Sequence, residues 1–220
     1  MTTAWARRGS KEALAVALCL VLVSLALSVG PAPGDDFKRP GKGPWRAQIV
    51  DGETKQLLEG VVVLAIWNER HGSVGGLAGG GYFASEEVLT GADGRFTIGV
   101  LKKRLLNPFA ILKGPEFYIF KPGYGRWHFQ GDEEWPKLDL EEQDKRVEET
   151  WRRFNSAEGV VLELPPLKMR GARLKFIASP PTPGMDVPRE QMRKLLKAID
   201  DERVALGLDA PRPDPKEQGR

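Results

Sequence analysis

From Trp45 to Leu164 the chain is cut into short apolar runs by glycine, proline and Asp-Gly, and this punctuation favours β-strands joined by turns. The first two runs, WRAQIV and VVVLAIW, flank a polar turn from Asp51-Gly52 to Gly60. Ala47 and Ile49, then Val61, Val63 and Ala65, alternate with other side chains, and β-branched residues dominate the second run. The stretch SEEVLTGADGRFTIGV reads as a hairpin, with Val88 and Leu89 on one side, Phe96 and Ile98 on the other, and the turn at Ala92-Asp93-Gly94. EFYIFK, Glu116 to Lys121, reads as a strand stopped by Pro122-Gly123-Tyr124-Gly125. GVVLEL, Gly159 to Leu164, reads as a final strand ended by Pro165-Pro166. Two stretches read as loops: His71 to Tyr82, which holds six glycines, and residues 105 to 115, interrupted by Pro108 and Pro115.

Helical periodicity is confined to two places. Between the last two strands lies an insertion, and its segment 138–155 carries Leu140, Val147, Trp151 and Phe154 at helical spacing. One amphipathic helix resting on the β-domain or its rim is the expectation. A C-terminal extension over 171–207 holds a second helix from Arg189 to about Leu206, striped by Met192, Leu195, Leu196, Ile199 and Val204. Residues 208–220 are proline-rich and charged, which is the composition of a disordered tail.

The amino terminus reads as an address. Arg7, Arg8 and Lys11 precede Ala13 to Val29, an uncharged apolar run of 17 residues, and Gly30, Pro31 and Pro33 end it before Asp35 and Asp36. This is the order of a secretory signal, and the run also sits at the short edge of a bilayer span. Residues 1–30 are thus a signal peptide or an N-terminal membrane anchor, and 31–44 a linker. Either way the remainder is expected to be exported. The only cysteine, Cys19, lies inside the apolar run, so disulfides and cysteine-based zinc sites are not expected in the exported part. The chain has 33 basic and 30 acidic residues. With residues 1–34 set aside, 30 basic face 29 acidic, which argues against a polycation built for nucleic acid.

The order of elements resembles the carboxypeptidase regulatory-like module of exported bacterial proteins. Its pattern Asp-x-x-Thr-x-x-x-Leu-x-Gly is matched by Asp51, Thr54, Leu58 and Gly60, and its Thr-x-x-Asp-Gly-x-Phe by Thr90, Asp93, Gly94 and Phe96. FKPGYG, with Pro122 and Gly123, and VLELPPLK are similar to a narrower group of small envelope proteins with this module. The resemblance spans about residues 45–170. It implies a mainly β fold, a seven-stranded antiparallel β-sandwich of transthyretin-like or immunoglobulin-like type, here with an inserted helix and a C-terminal helix, and it implies the bacterial periplasm or cell envelope as the place of the exported part.

No catalytic set accompanies that module. A zinc peptidase of the carboxypeptidase kind needs a His-x-x-Glu pair and a distant histidine, yet His71 and His128, the only two histidines, are each followed by other residues. No G-x-S-x-G occurs, GGLAGGG lacks the Lys-Ser/Thr of a phosphate-binding loop, and Asp132-Glu133-Glu134 reads as a solvated face or a helix approach rather than as a calcium site. The expectation is therefore a non-catalytic module without cofactor or metal that binds or scaffolds an envelope protein or glycan, touching the membrane only through its amino terminus. Tyr124, Trp127, Phe129 and Trp135 are the candidate contact residues. Exposed, they would stack on sugar or on a partner, as in a carbohydrate-binding module; buried, they would anchor the insertion. A third reading, an unrecognised enzyme, would place His128 beside Asp132 or Glu133 in a deep pocket.

Overall fold

A computed structural model describes residues 43–71, 79–107, 109–184 and 186–209. The expected signal or anchor at 1–30, most of the linker and nearly all of the tail lie outside the described residues. The chain is mainly β, with two sheets and three α-helices among the described residues. One sheet takes its order from β4 (Arg95–Ile98), β1 (Trp45–Asp51), β7 (Val160–Leu164) and β6 (His128–Phe129). The other runs β3 (Gly79–Leu89), β2 (Val62–His71) and β5 (Ala110–Phe120).

Two expectations about pairing are corrected. First, β1 and β7 run parallel, Ala47 opposite Val160 through Asp51 opposite Leu164, so the sheets are not antiparallel throughout. A parallel pair needs a long return, and the intervening chain, with the whole second sheet and the helical insertion, supplies it. Second, the expected hairpin is an arch. Its first arm, β3, pairs with β2, while its second, β4, pairs with β1 in the other sheet. The turn residues are the right ones for reversal, but Gly94 hands its carbonyl to Ile49 N–H at 2.8 Å instead of continuing a ladder with β3.

This arch interlocks with the β1–β2 connection. The Thr90 hydroxyl donates to the Leu58 carbonyl at 2.6 Å and accepts from Val61 N–H at 2.9 Å, and it is buried. Asp93 Oδ1 accepts from Arg95 N–H at 3.0 Å. Gly60 and Gly94 both have positive φ, +69° and +66°. A Cβ on Gly94 would also stand 2.6 Å from the Ile49 carbonyl oxygen, closer than any real contact. Gly94→Ala is accordingly expected to cost about 1–3 kcal/mol, measured as a fall in the urea midpoint at unchanged slope.

The strand limits also differ from the sequence reading. β5 begins at Ala110, not after Pro115, because Gly114-Pro115 sits in a bulge: Ile66 faces Glu116 and Asn68 faces Lys113, leaving Trp67 opposite the extra residues. A bulge removes the ladder bond that proline cannot make. Likewise Gly79 to Tyr82, expected in a loop, belong to β3, paired with Asn68 to His71.

From Val62 to Trp67 β2 is buried on both faces, which explains the unbroken apolar run there. Val61, which precedes the strand, joins Val63, Ala65 and Trp67 in one cluster, where they meet Trp45, Ala47 and Ile49 of β1, Phe96 and Ile98 of β4, and Leu162 and Leu164 of β7. Side chains of both sheets thus share this core. Val62, Leu64 and Ile66, with Phe120, form a second cluster with the C-terminal helices. Those helices are α2 (Arg170–Ile177), which the sequence did not single out, and α3 (Arg193–Ala205), preceded by a 3-10 turn over Arg189–Gln191. Met192, Leu195 and Ile199 are buried as expected, but Val204 is exposed and Leu206 takes the inward place.

The inserted helix α1 (Leu140–Phe154) starts where Asp139 Oδ1 accepts from Glu142 N–H at 2.9 Å, an N-cap followed by Glu141 and Glu142 in the first turn. Its apolar stripe is engaged only at the carboxyl end. Phe154 is wholly buried and Trp151 packs against the first core, whereas Leu140 is exposed.

Candidate functional site

The segment leaving β5 returns along the end of β7. Leu167 N–H donates to the Gly123 carbonyl and Gly125 N–H to the Pro165 carbonyl, each at 2.8 Å, so Pro122-Gly123 ends one sheet and starts an attachment to the other. This places Tyr124 where its hydroxyl donates to Asp51 Oδ2 at 3.0 Å. The other carboxylate oxygen, Oδ1, accepts from Glu53 and Thr54 N–H, both at 2.8 Å, closing the turn after β1. Beside it Glu163, a buried carboxylate in the middle of an apolar strand, accepts from Lys55 Nζ at 2.8 Å.

Burial alone would raise the Asp51 pKa, but the backbone N–H groups of Thr54 and Glu53 and the Tyr124 hydroxyl outweigh it and hold the carboxyl below its ordinary value. Burial, and then Asp51 itself, push the Tyr124 phenol up. A depressed folded-state pKa stabilises the fold above the unfolded value, about 3.9, and that stabilisation disappears as pH falls through the folded value. Asp51→Asn keeps one acceptor but weakens these bonds. It is expected to cost about 1–3 kcal/mol at pH 7, with the gap to the wild-type protein closing below pH ~4, read from urea midpoints across pH.

The aromatic candidates follow the core. Phe129 is buried, with its ring 5.6 Å from Trp151 and 6.2 Å from Phe154, and Trp127 stands edge-on to Phe129 at 5.3 Å. Trp127 and Tyr124 are half-buried against the same cluster. Trp135 falls in a 3-10 turn over Asp132–Lys137, and its side chain lies outside the described residues. The structure therefore brings Tyr124, Trp127 and Phe129 together as an attachment of the insertion to the first core.

His128 and Asp132 are neighbours on this segment. His128 Nδ1 lies 3.1 Å from the Phe129 carbonyl, and Asp132 Oδ2 accepts from Phe129 N–H at 3.1 Å. Burial raises the Asp132 pKa, against the Phe129 N–H and the nearby imidazole, which lower it. An open recess at the carboxyl end of α1 is lined by Glu149, Arg152, Arg153, Ser156, Ala157 and Glu158, and includes neither residue. Among the described residues no three His, Cys, Asp or Glu groups converge as a metal site.

Sequence reasoning assigned Asp51 and Tyr124 to separate motifs and missed the bond between them. It also missed Glu163, although a lone acid in GVVLEL is itself a signal, since a buried carboxylate requires a partner. Neither a family model, nor a curated protein, nor a solved structure matches the chain.

Proposed function

We propose that the chain is a non-catalytic exported module of the bacterial cell envelope, a seven-stranded β-sandwich of carboxypeptidase regulatory-like, transthyretin-like or immunoglobulin-like type that binds or scaffolds an envelope partner. The observation that carries this reading is the shared role of the residues behind the resemblance. Thr90, Leu58 and Gly60 are hydrogen-bonded into one knot between the two sheets, Asp93 and Gly94 form the arch beside it, and Phe96 fills the core they enclose. Every one of these positions has an architectural task, which suits a scaffold whose function lies on its surface. The basic-then-apolar amino terminus supplies the route of export.

The test is a topology reporter together with an activity panel. A fusion of alkaline phosphatase after Leu208 is expected to be active in intact cells and to lose activity when Leu20 and Leu22 are replaced by arginine. The purified full chain is expected to turn over neither peptide nor polysaccharide substrates. A cytoplasmic fusion overturns export. Turnover abolished by Asp132→Asn or His128→Ala overturns the non-catalytic reading.

A further inference from the structure

One end of the three-stranded sheet carries a tip with two properties that rarely occur together. Leu106 is 98% exposed and Phe109 is 81% exposed, and Ile111 beside them is also exposed. Scattered exposed apolar residues are ordinary, but nearly bare Leu and Phe three positions apart at the apex of one turn are not. The turn is structured. Phe109 N–H donates to Asn107 Oδ1 at 2.9 Å, Ala110 N–H to the Asn107 carbonyl at 3.1 Å, and Asn107 Nδ2 lies 3.3 Å from His71 Nδ1 on β2.

The charges of the apex segment itself have one sign. From Leu101 to Lys113 the sequence LKKRLLNPFAILK holds four basic residues and no acid. Lys103 is committed to the fold, donating to the Phe83 carbonyl at 2.6 Å with its ammonium 4.4 Å above the Phe83 ring. Lys102 and Arg104 are exposed, and no carboxylate among the described residues forms an ion pair with either. On β2, Arg70 is exposed opposite Ile111. The nearest acid on that strand, Glu69, faces His71 at 3.4 Å.

We propose that this tip is a membrane-contact site: Leu106 and Phe109 enter the headgroup region of an anionic bilayer while Lys102, Arg104 and Arg70 face its phosphates. Exposed apolar residues flanked by unpaired cations complement such a surface on both counts, since the interface takes the apolar side chains and the negative surface potential takes the charge. A soluble protein partner would match the apolar pair but would need its own acidic rim. The site would be a bilayer contact separate from the amino-terminal segment, and it stands independently of the export reading.

The test uses the full chain carrying Cys19→Ser and Leu106→Cys, with an environment-sensitive fluorophore on the introduced thiol, reconstituted into phosphatidylcholine vesicles with or without phosphatidylglycerol. The expected result is a blue-shifted emission, quenched by nitroxide on the lipid chains, in the anionic vesicles only. A label placed by Glu148→Cys on α1 should stay in water in both. Each cation removed should lower the ratio of inserted to solvent-exposed label roughly fivefold, so Lys102→Gln with Arg104→Gln lowers it by roughly 25-fold. Phe109→Asp should abolish insertion. Equal emission in the two kinds of vesicle overturns the proposal, as does quenching that persists without the two cations. A shift that grows with protein density in neutral vesicles overturns it in favour of contact with a second copy.

Discussion

Phe154→Ala is expected to lower the free energy of unfolding by about 3–5 kcal/mol, the range for truncating a buried aromatic residue. Phe154 is the hub of the first core. Its ring lies 4.8 Å from Phe117, 5.4 Å from Trp45, 5.7 Å from Trp151 and 6.2 Å from both Phe96 and Phe129, and it is wholly buried. These neighbours come from β5, β1, α1, β4 and β6, so one side chain ties both sheets to the inserted helix. Rigid rings on every side collapse poorly into a void, which puts the cost toward the upper end of the range. Phe154→Leu should cost less than half as much, because most of the volume is kept. Urea denaturation of the two variants decides the matter. A loss under about 1 kcal/mol for the alanine variant would mean that α1 does not hold the core together.

The strands were legible in the sequence; their distribution between sheets was not. Alternation places Phe96 and Ile98 inward, and turn chemistry places a reversal at Asp93-Gly94, but the same residues serve a hairpin and an arch. What separates the two is the partner of β4, and β1 lies some fifty residues away in sequence. Proline misled at β5 for a related reason. Pro115 would break a regular ladder, yet a bulge opposite Trp67 absorbs it, and bulges leave little trace in a single sequence.

The candidate site was legible by residue type and not by role. Tyr124, Trp127 and Phe129 stand close together in the sequence, and large aromatics gain most from burial, so anchoring the insertion was one of the two roles open to them. Asp51 was singled out by its motif, but the Tyr124 hydroxyl that bonds its carboxylate belongs to the segment after β5, 73 residues away in sequence. The exposed tip at Leu106 and Phe109 had no such signal. An apolar residue in a loop-like stretch reads as partly buried until the fold leaves it bare.

The second large effect is expected at the C-terminal clamp. Arg173 on α2 meets Glu202 on α3 through two parallel bonds, Nε to Oε1 at 2.7 Å and Nη2 to Oε2 at 2.6 Å, with the carboxylate almost wholly buried. Arg173→Met removes the partner and leaves a buried charge uncompensated, which is expected to cost about 3 kcal/mol; the lower end applies because the arginine side is partly open to solvent. Adding Glu202→Met should return most of that loss, since an apolar pair of similar volume avoids the desolvation of both ions. Recovery in the double variant is the decisive result, because a general packing defect at either position would make the two losses add. The consequence reaches the sheet. The helices joined by this pair cover Val62, Leu64 and Ile66, so Arg173→Met should speed amide exchange in α3 first and in the outward face of β2 next, while Trp45 and Ile49 in the opposite core remain protected.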